Sequence, residues 1–200
     1  MKLLSVALDE PIIWSIHPSD PKLFGLGCLP GWSLVNPLLN EEIRRSASNP
    51  AAGPNTRVTF VVGENVHLNS TGFYLALDDN VQFDWTTEAS LKWEERLFML
   101  VKYFRYASKQ FSITPKIRSF GPIDIDELPL LTYPDKDERC VTQAWHINTA
   151  ISIDDIELVS RQSLSEPPPS FDGMLLDAIE AMMHEDYRTA ILFSAISMEN

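Results

Sequence analysis

The sequence has few cysteines and no long apolar run. Its 200 residues include two cysteines, Cys28 and Cys140, which lie far apart and outside any C-x-x-C arrangement. Two isolated thiols exclude a disulfide-rich secreted scaffold and favour a reducing compartment. No segment approaches the roughly 18 consecutive apolar residues of a membrane helix. Asp9 and Glu10 interrupt the apolar N-terminal run before it reaches the length of a signal peptide. We therefore expect a cytoplasmic protein without membrane contact.

Basic residues are also scarce. The chain has 16 Lys and Arg against 28 Asp and Glu, which gives a formal net charge of -12 and a pI near 4.7. A field of this sign repels nucleic acids and anionic membranes, so contact with RNA or DNA requires a local basic patch. The apolar content of 44% is enough for a core and excludes a wholly disordered chain.

Motifs for cofactors and metals are absent from the sequence. It contains no G-x-G-x-x-G, Walker or G-x-S-x-G pattern, so no cofactor is predicted. The four histidines are scattered and no ligand pairs have zinc-like spacing, so no metal site is predicted. Neighbouring acids such as Asp154 and Asp155 lie in a turn-like segment and are interpreted as solvated.

The apolar pattern predicts an α+β fold with a mostly antiparallel sheet and one long helix, followed by a C-terminal helical hairpin that begins an incomplete helical bundle. Residues 2–16 are strand-like, broken by a turn at the sequence DEP, and two further strand-like stretches follow before residue 86. Apolar residues at three- and four-residue steps predict the long helix from Thr87 to Gln110. Short strands and turns are expected between this helix and residue 159.

Three consecutive prolines in SRQSLSEPPPS divide the chain. Proline cannot continue a helix or a central strand, and the polar residues before the prolines have little to bury. We therefore predict an N-terminal domain at residues 1–159, a linker at 160–170 and a helical hairpin at 171–200. The inner face of the second hairpin helix is predicted to include Tyr187 and Ile191.

The long helix carries the most basic surface that the sequence predicts. Lys102, Arg105 and Lys109 share one helical face and alternate with aromatic residues. They are the candidate binding residues for an anion or a nucleic acid. The other interpretation is that the aromatic residues pack on a sheet while the basic side chains stay in water.

The hairpin is too apolar to be covered by two helices alone. Its second helix also carries Leu192, Phe193 and Ile196, so apolar residues lie most of the way round it. Full burial of each would contribute roughly 1.5 to 3 kcal/mol. These side chains could be buried in three ways: by docking on the N-terminal domain, by a partner chain, or by further helices of a longer domain. The last is favoured, with a partner chain second.

The sequence of this hairpin resembles a known domain family. The stretch LLDAIEAMMHEDYRTAILFSAISMEN resembles the first two helices of Apea-like HEPN domains of bacterial and phage proteins. Tyr187, Arg188, Ala190, Ala195 and Glu199 carry the resemblance, which covers residues 173–200. It implies a helical bundle that dimerises. It also implies a metal-independent ribonuclease when a later helix supplies an Arg-x(4–6)-His motif.

The catalytic candidate follows from that resemblance. Glu199 matches the polar position that supports the Arg and His of the motif, so it is the one catalytic candidate, in a supporting role; a solvated side chain is the alternative. Arg188 is a candidate binding residue, with pairing to Glu185 and Asp186 as its structural alternative.

Two functional hypotheses result. The first is a HEPN-containing protein in which the N-terminal domain senses or binds a ligand and the helical part dimerises and, when complete, acts on RNA. These 200 residues alone are not expected to be catalytic. The second is a non-catalytic protein–protein interaction module. Both predict a homodimer or a partner chain at residues 171–200.

Overall fold

The computed structural model describes residues 1–47, 53–78, 81, 86–110, 116–131, 150–168, 170–183 and 185–199. The strands in these residues are β1 (Lys2–Ile16), β2 (Leu23–Gly25), β3 (Trp32–Val35), β4 (Thr56–Val62), β5 (Asn65–Leu77) and β6 (Ile117–Asp124). The helices are α1 (Asn40–Ser46), α2 (Thr87–Ser108), α3 (Ile153–Ser160), α4 (Ser170–Met183) and α5 (Tyr187–Glu199).

The six strands of the described residues form one sheet. The strand order is β2-β3-β5-β1-β6, and β4 pairs with β5 beside β3. Every one of these strand pairs is antiparallel. The fold is therefore a mixed α/β structure built on an antiparallel sheet, which confirms the predicted combination of helices with an antiparallel sheet.

The sequence DEP does not end the first strand. β1 continues through it with an irregular register, in which Ala7 pairs with Gly72 and Ile12 pairs with Ser70. Asp9, Glu10 and Pro11 form the extra length of this bulge, which removes the need for Pro11 to donate to the ladder. The predicted turn was wrong here because a bulge accommodates the same residues.

Gly72 lies at the same bulge. A Cβ atom at this position would be 1.9 Å from the carbonyl oxygen of Val6, and its φ of +155° is one that L side chains rarely adopt. Only glycine lets the two backbones approach this closely.

Side chains that alternate along β1 divide the core between the two faces of the sheet. Leu4, Val6 and Trp14 face α2 and α3, whereas Leu3 faces α1. On the first face, Trp14 meets Phe104 edge-on at a centroid distance of 5.5 Å. The period of two along the strand thus places helices on both sides of the sheet.

The long helix is confirmed, and it ends slightly earlier than predicted. α2 stops at Ser108, where Lys109 takes a φ of +55°. The side chain of Gln110 then bonds both backbone groups of Ile13, at 2.8 and 2.9 Å. This side chain supplies hydrogen bonds at a stretch of β1 that β6 does not reach.

The prediction of strands and turns before the linker was wrong at α3. Ser152 caps this helix, since its hydroxyl accepts from the Asp155 amide while the Asp155 carboxylate accepts from the Ser152 amide. This capping box gives Asp155 a structural role in place of the solvated turn position expected. α3 then packs Ile156 and Val159 into the core.

The predicted linker corresponds to the connection between α3 and α4. It lies against the rest of the fold: Leu164 packs on the core, and the Tyr103 hydroxyl donates to the carbonyl of Glu166 at 3.0 Å. Burial raises the pKa of Tyr103 above its usual value of 10.0.

Candidate interaction surface

The hairpin turn forms through local backbone bonds. The Asp186 amide donates to the Ala181 carbonyl at 2.9 Å, and the Glu185 amide donates to the Met182 carbonyl at 3.1 Å. Glu185 has a φ of +60°, so α4 ends in a Schellman motif with a non-glycine residue in the left-handed position. Asp186 then caps α5 by accepting from the Thr189 amide at 3.2 Å.

Small residues make up the buried sides of α4 and α5. Ala178, Ala181 and Ala190 are all buried. The predicted inner face of α5 was wrong in part, because Tyr187 and Ile191 are exposed while Phe193 is half-buried. Helical periodicity locates an apolar stripe, but on a helix that is apolar most of the way round it does not select the buried side.

A set of large apolar side chains remains exposed on the hairpin. We call these five residues the hairpin apolar surface: Leu175, Met182, Tyr187, Ile191 and Leu192. Their exposed fractions run from 41% for Leu175 to 70% for Ile191. On α5 the three members follow the spacing i, i+4 and i+5, which places them on one helical face.

An ion pair attaches α4 to α2. The Arg105 guanidinium donates to the Asp177 carboxylate at 2.5 Å, and only 7% of the Arg105 side chain is exposed. α2 therefore covers part of α4. The sequence signal was Asp177 itself, an acid within the apolar pattern MLLDAI.

The structure separates the three basic residues predicted on α2. Arg105 does not belong to an exposed basic face, since it is buried against α4. Lys102 places Nζ 4.7 Å from the centroid of the Phe98 ring, and Lys109 places Nζ 4.3 Å from that of Tyr106. Lys102 is half-buried and Lys109 is exposed, so neither interpretation fits all three basic residues. A binding role for Lys102 and Lys109 stays a prediction.

The structure does not test the two candidates on α5. Arg188 is exposed at the start of the helix. Glu199 is the last residue of α5, and its side chain lies outside the part of the chain that the structure describes. The catalytic role of Glu199 and the binding role of Arg188 stay predictions.

A cluster of serine, histidine and glutamate was not predicted from the sequence. His17 Nδ1 lies 2.5 Å from Ser19 Oγ, and His17 Nε2 lies 2.9 Å from Glu64 Oε2. The order of contacts is that of a catalytic triad, but 87% of the Glu64 side chain is exposed to solvent. The Ser19 amide also donates to Nδ1, and the His17 amide donates to Asp20. The cluster therefore orders the turn HPSD rather than a substrate cleft.

A second polar cluster lies beneath α1. The Glu41 carboxylate accepts from Arg44 at 2.9 Å and from the Thr56 amide at 2.9 Å. Burial opposes its ionisation, but the bonds from Arg44 and Thr56 outweigh burial and lower the pKa of Glu41 below 4.5. Burial, reinforced by Glu41, raises the pKa of Tyr74. These groups anchor α1 to β4 and β5.

Other chemistry is limited in the described residues. Cys28 is a free thiol, and burial raises its pKa from 9.0 to about 11, which disfavours the reactive thiolate. Within the same residues, no group of three His, Cys, Asp or Glu side chains could hold a metal ion. Nor does any described helix have the length and apolarity needed to cross a membrane.

Comparison with known proteins finds no counterpart. No family model, no curated protein and no solved structure matches this chain. The resemblance of residues 173–200 to HEPN domains thus stays a prediction.

Proposed function

We propose that this protein is a non-catalytic interaction module that forms a homodimer through the hairpin apolar surface. The observation that carries the proposal is the exposure of Tyr187, Ile191 and Leu192 on one face of α5. Burying the exposed parts of these side chains would contribute roughly 1 to 2 kcal/mol each. A second copy presents the same face, and two-fold homodimers are the commonest soluble assembly.

The arrangement of charges supports protein rather than nucleic acid as the partner. The net charge of -12 repels RNA, and Arg105 is neutralised by Asp177 within the fold. The ribonuclease hypothesis shares the dimer with this proposal but needs an arginine and a histidine placed together. The cytoplasm is the expected setting, where Cys28 would stay reduced.

Sedimentation velocity of the full chain tests the proposal. The wild type is expected to sediment as a dimer, and Ile191→Glu is expected to be monomeric because a carboxylate would be buried unpaired at the interface. Leu158→Glu is the matched control, since Leu158 is also an exposed apolar helical residue but lies on α3. This variant should remain dimeric.

Two results would contradict the proposal. One is a wild type that stays monomeric across the accessible concentration range. The other is a dimer that persists in Ile191→Glu, because the interface would then lie elsewhere. Circular dichroism of both variants checks that the substitutions leave the helical content unchanged.

A further inference from the structure

A cavity of about 410 Å³ lies between the edge of the sheet and α3, away from the hairpin. One wall is formed by Pro21 and the three residues of β2, and the other by α3 residues at the helical spacing i, i+3, i+4 and i+7: Ile153, Ile156, Glu157 and Ser160. Its volume falls in the range of ligand sites, roughly 300 to 1,000 Å³. We call it the β2–α3 groove.

Backbone groups of β2 point into the open side of this groove. β2 is at one end of the strand order in the described sheet. The Asn36 amide donates to the Lys22 carbonyl, and the Leu26 amide donates to the Trp32 carbonyl. Between them, the backbone groups of Phe24 must also face β3. In an antiparallel ladder the groups of Leu23 and Gly25 must then face outward.

One of these outward groups already has a partner. The Gly25 carbonyl accepts from the Ser160 hydroxyl at 3.0 Å, which fixes α3 beside the strand. The described residues provide no bond to the Leu23 amide, the Leu23 carbonyl or the Gly25 amide. These three groups have the spacing and direction that an added strand would use.

The side chains around the groove select an uncharged ligand. Phe24 and Ile156 are buried at its base. At its mouth, the guanidinium of Arg161 donates to Glu157 at 3.2 Å, so the two charges neutralise each other. A charged ligand would find no net opposite charge, whereas an apolar side chain can enter the cavity without leaving a charge unpaired.

We propose that the β2–α3 groove binds an uncharged, extended peptide segment of a partner protein, which adds a strand to β2 and places an apolar side chain over Phe24 and Ile156. This site is separate from the hairpin apolar surface, so the two proposals can fail independently. Strand addition explains why backbone donors and an apolar cavity occur together in one groove.

Gly25 permits a sharp test. A Cβ atom added at Gly25 meets nothing within 4 Å and points, like the Leu23 side chain, to the face of the sheet opposite Phe24 and α3. Gly25→Val should therefore fold and is the matched control, because it keeps the outward amide and leaves the groove open. Gly25→Pro is the test variant, which removes the outward amide without removing a bond to β3.

The probe is a phage-displayed library of random peptides of about ten residues, longer than a typical strand. Selection on the immobilised full chain is expected to enrich uncharged peptides rich in apolar and β-branched residues. Gly25→Pro should bind a selected peptide at least about tenfold more weakly, and Gly25→Val should bind it like the wild type.

Amide exchange measured by NMR identifies the binding mode. With peptide bound, the Leu23 and Gly25 amides should exchange more slowly while the Phe24 amide, which faces β3, stays unchanged. Failure to enrich any peptide over an empty support would overturn the proposal. So would peptides that bind Gly25→Pro as tightly as the wild type.

Discussion

The attachment of α4 to α2 depends on an ion pair of which only one partner, Arg105, is buried. Only 7% of the Arg105 side chain is exposed, against 43% for Asp177. Removing one partner of a fully buried pair costs about 3 to 5 kcal/mol, whereas exposed pairs contribute about 0.2 to 1 kcal/mol. Because the carboxylate is half-exposed, we expect Asp177→Ala to lower the free energy of unfolding by about 2 kcal/mol.

The order of the variants tests this reasoning more strictly than the size of one effect. Arg105→Met removes the cation but keeps most of the apolar stem, so no charge is left buried and the loss should be smaller than in Asp177→Ala. The double variant should resemble Arg105→Met. Urea unfolding followed by circular dichroism measures all four proteins, and a shared m-value shows that the midpoints are comparable. The reasoning is refuted if Asp177→Ala unfolds like the wild type or if Arg105→Met is the less stable single variant.

Two further predictions concern the sheet. Gly72→Ala should lower the free energy of unfolding by about 3 kcal/mol or more, because its Cβ atom would overlap the Val6 carbonyl at a strained φ. Gly121→Ala, in open space, should change it by less than about 0.5 kcal/mol, and equal melting temperatures for the two would contradict the prediction. Burial lowers the pKa of His67 below 6.5, so the folded protein binds fewer protons there and stability should fall as the pH drops below 6.5. His67→Gln should flatten the dependence of the urea midpoint on pH below 6.5, and an unchanged slope would exclude His67 as its source.

The sheet and the long helix could be predicted because their signals are local. β1 alternates between two faces, and α2 repeats its apolar residues at helical steps, so each segment indicates its own conformation. α3 has a local signal too, the pattern Ser152-x-x-Asp155 before an apolar run, which was interpreted as a turn. That error was one of interpretation rather than of missing information.

The candidate site was less predictable because it depends on contacts between distant segments. Nothing near Arg105 in the sequence shows that its partner is Asp177, 72 positions away. The same limit applies to α5, where burial is decided by the neighbouring helices and not by the sequence of the helix. The outward groups of β2 likewise follow from its pairing with β3, and the three residues of β2 give no hint of α3 beside them.

The ion pair and the hairpin apolar surface involve different sides of the hairpin. The pair fixes α4 to α2, whereas the proposed dimer uses α5 and the exposed side of α4. Dimer formation would stabilise the docked hairpin by mass action, because the second copy binds the folded state. The wild type and Asp177→Ala should therefore both be more stable at high protein concentration than at low, and Asp177→Ala should remain a dimer. If the same substitution abolished the dimer, the surface would depend on docking to α2, and the hairpin could not be treated as an independent interaction element.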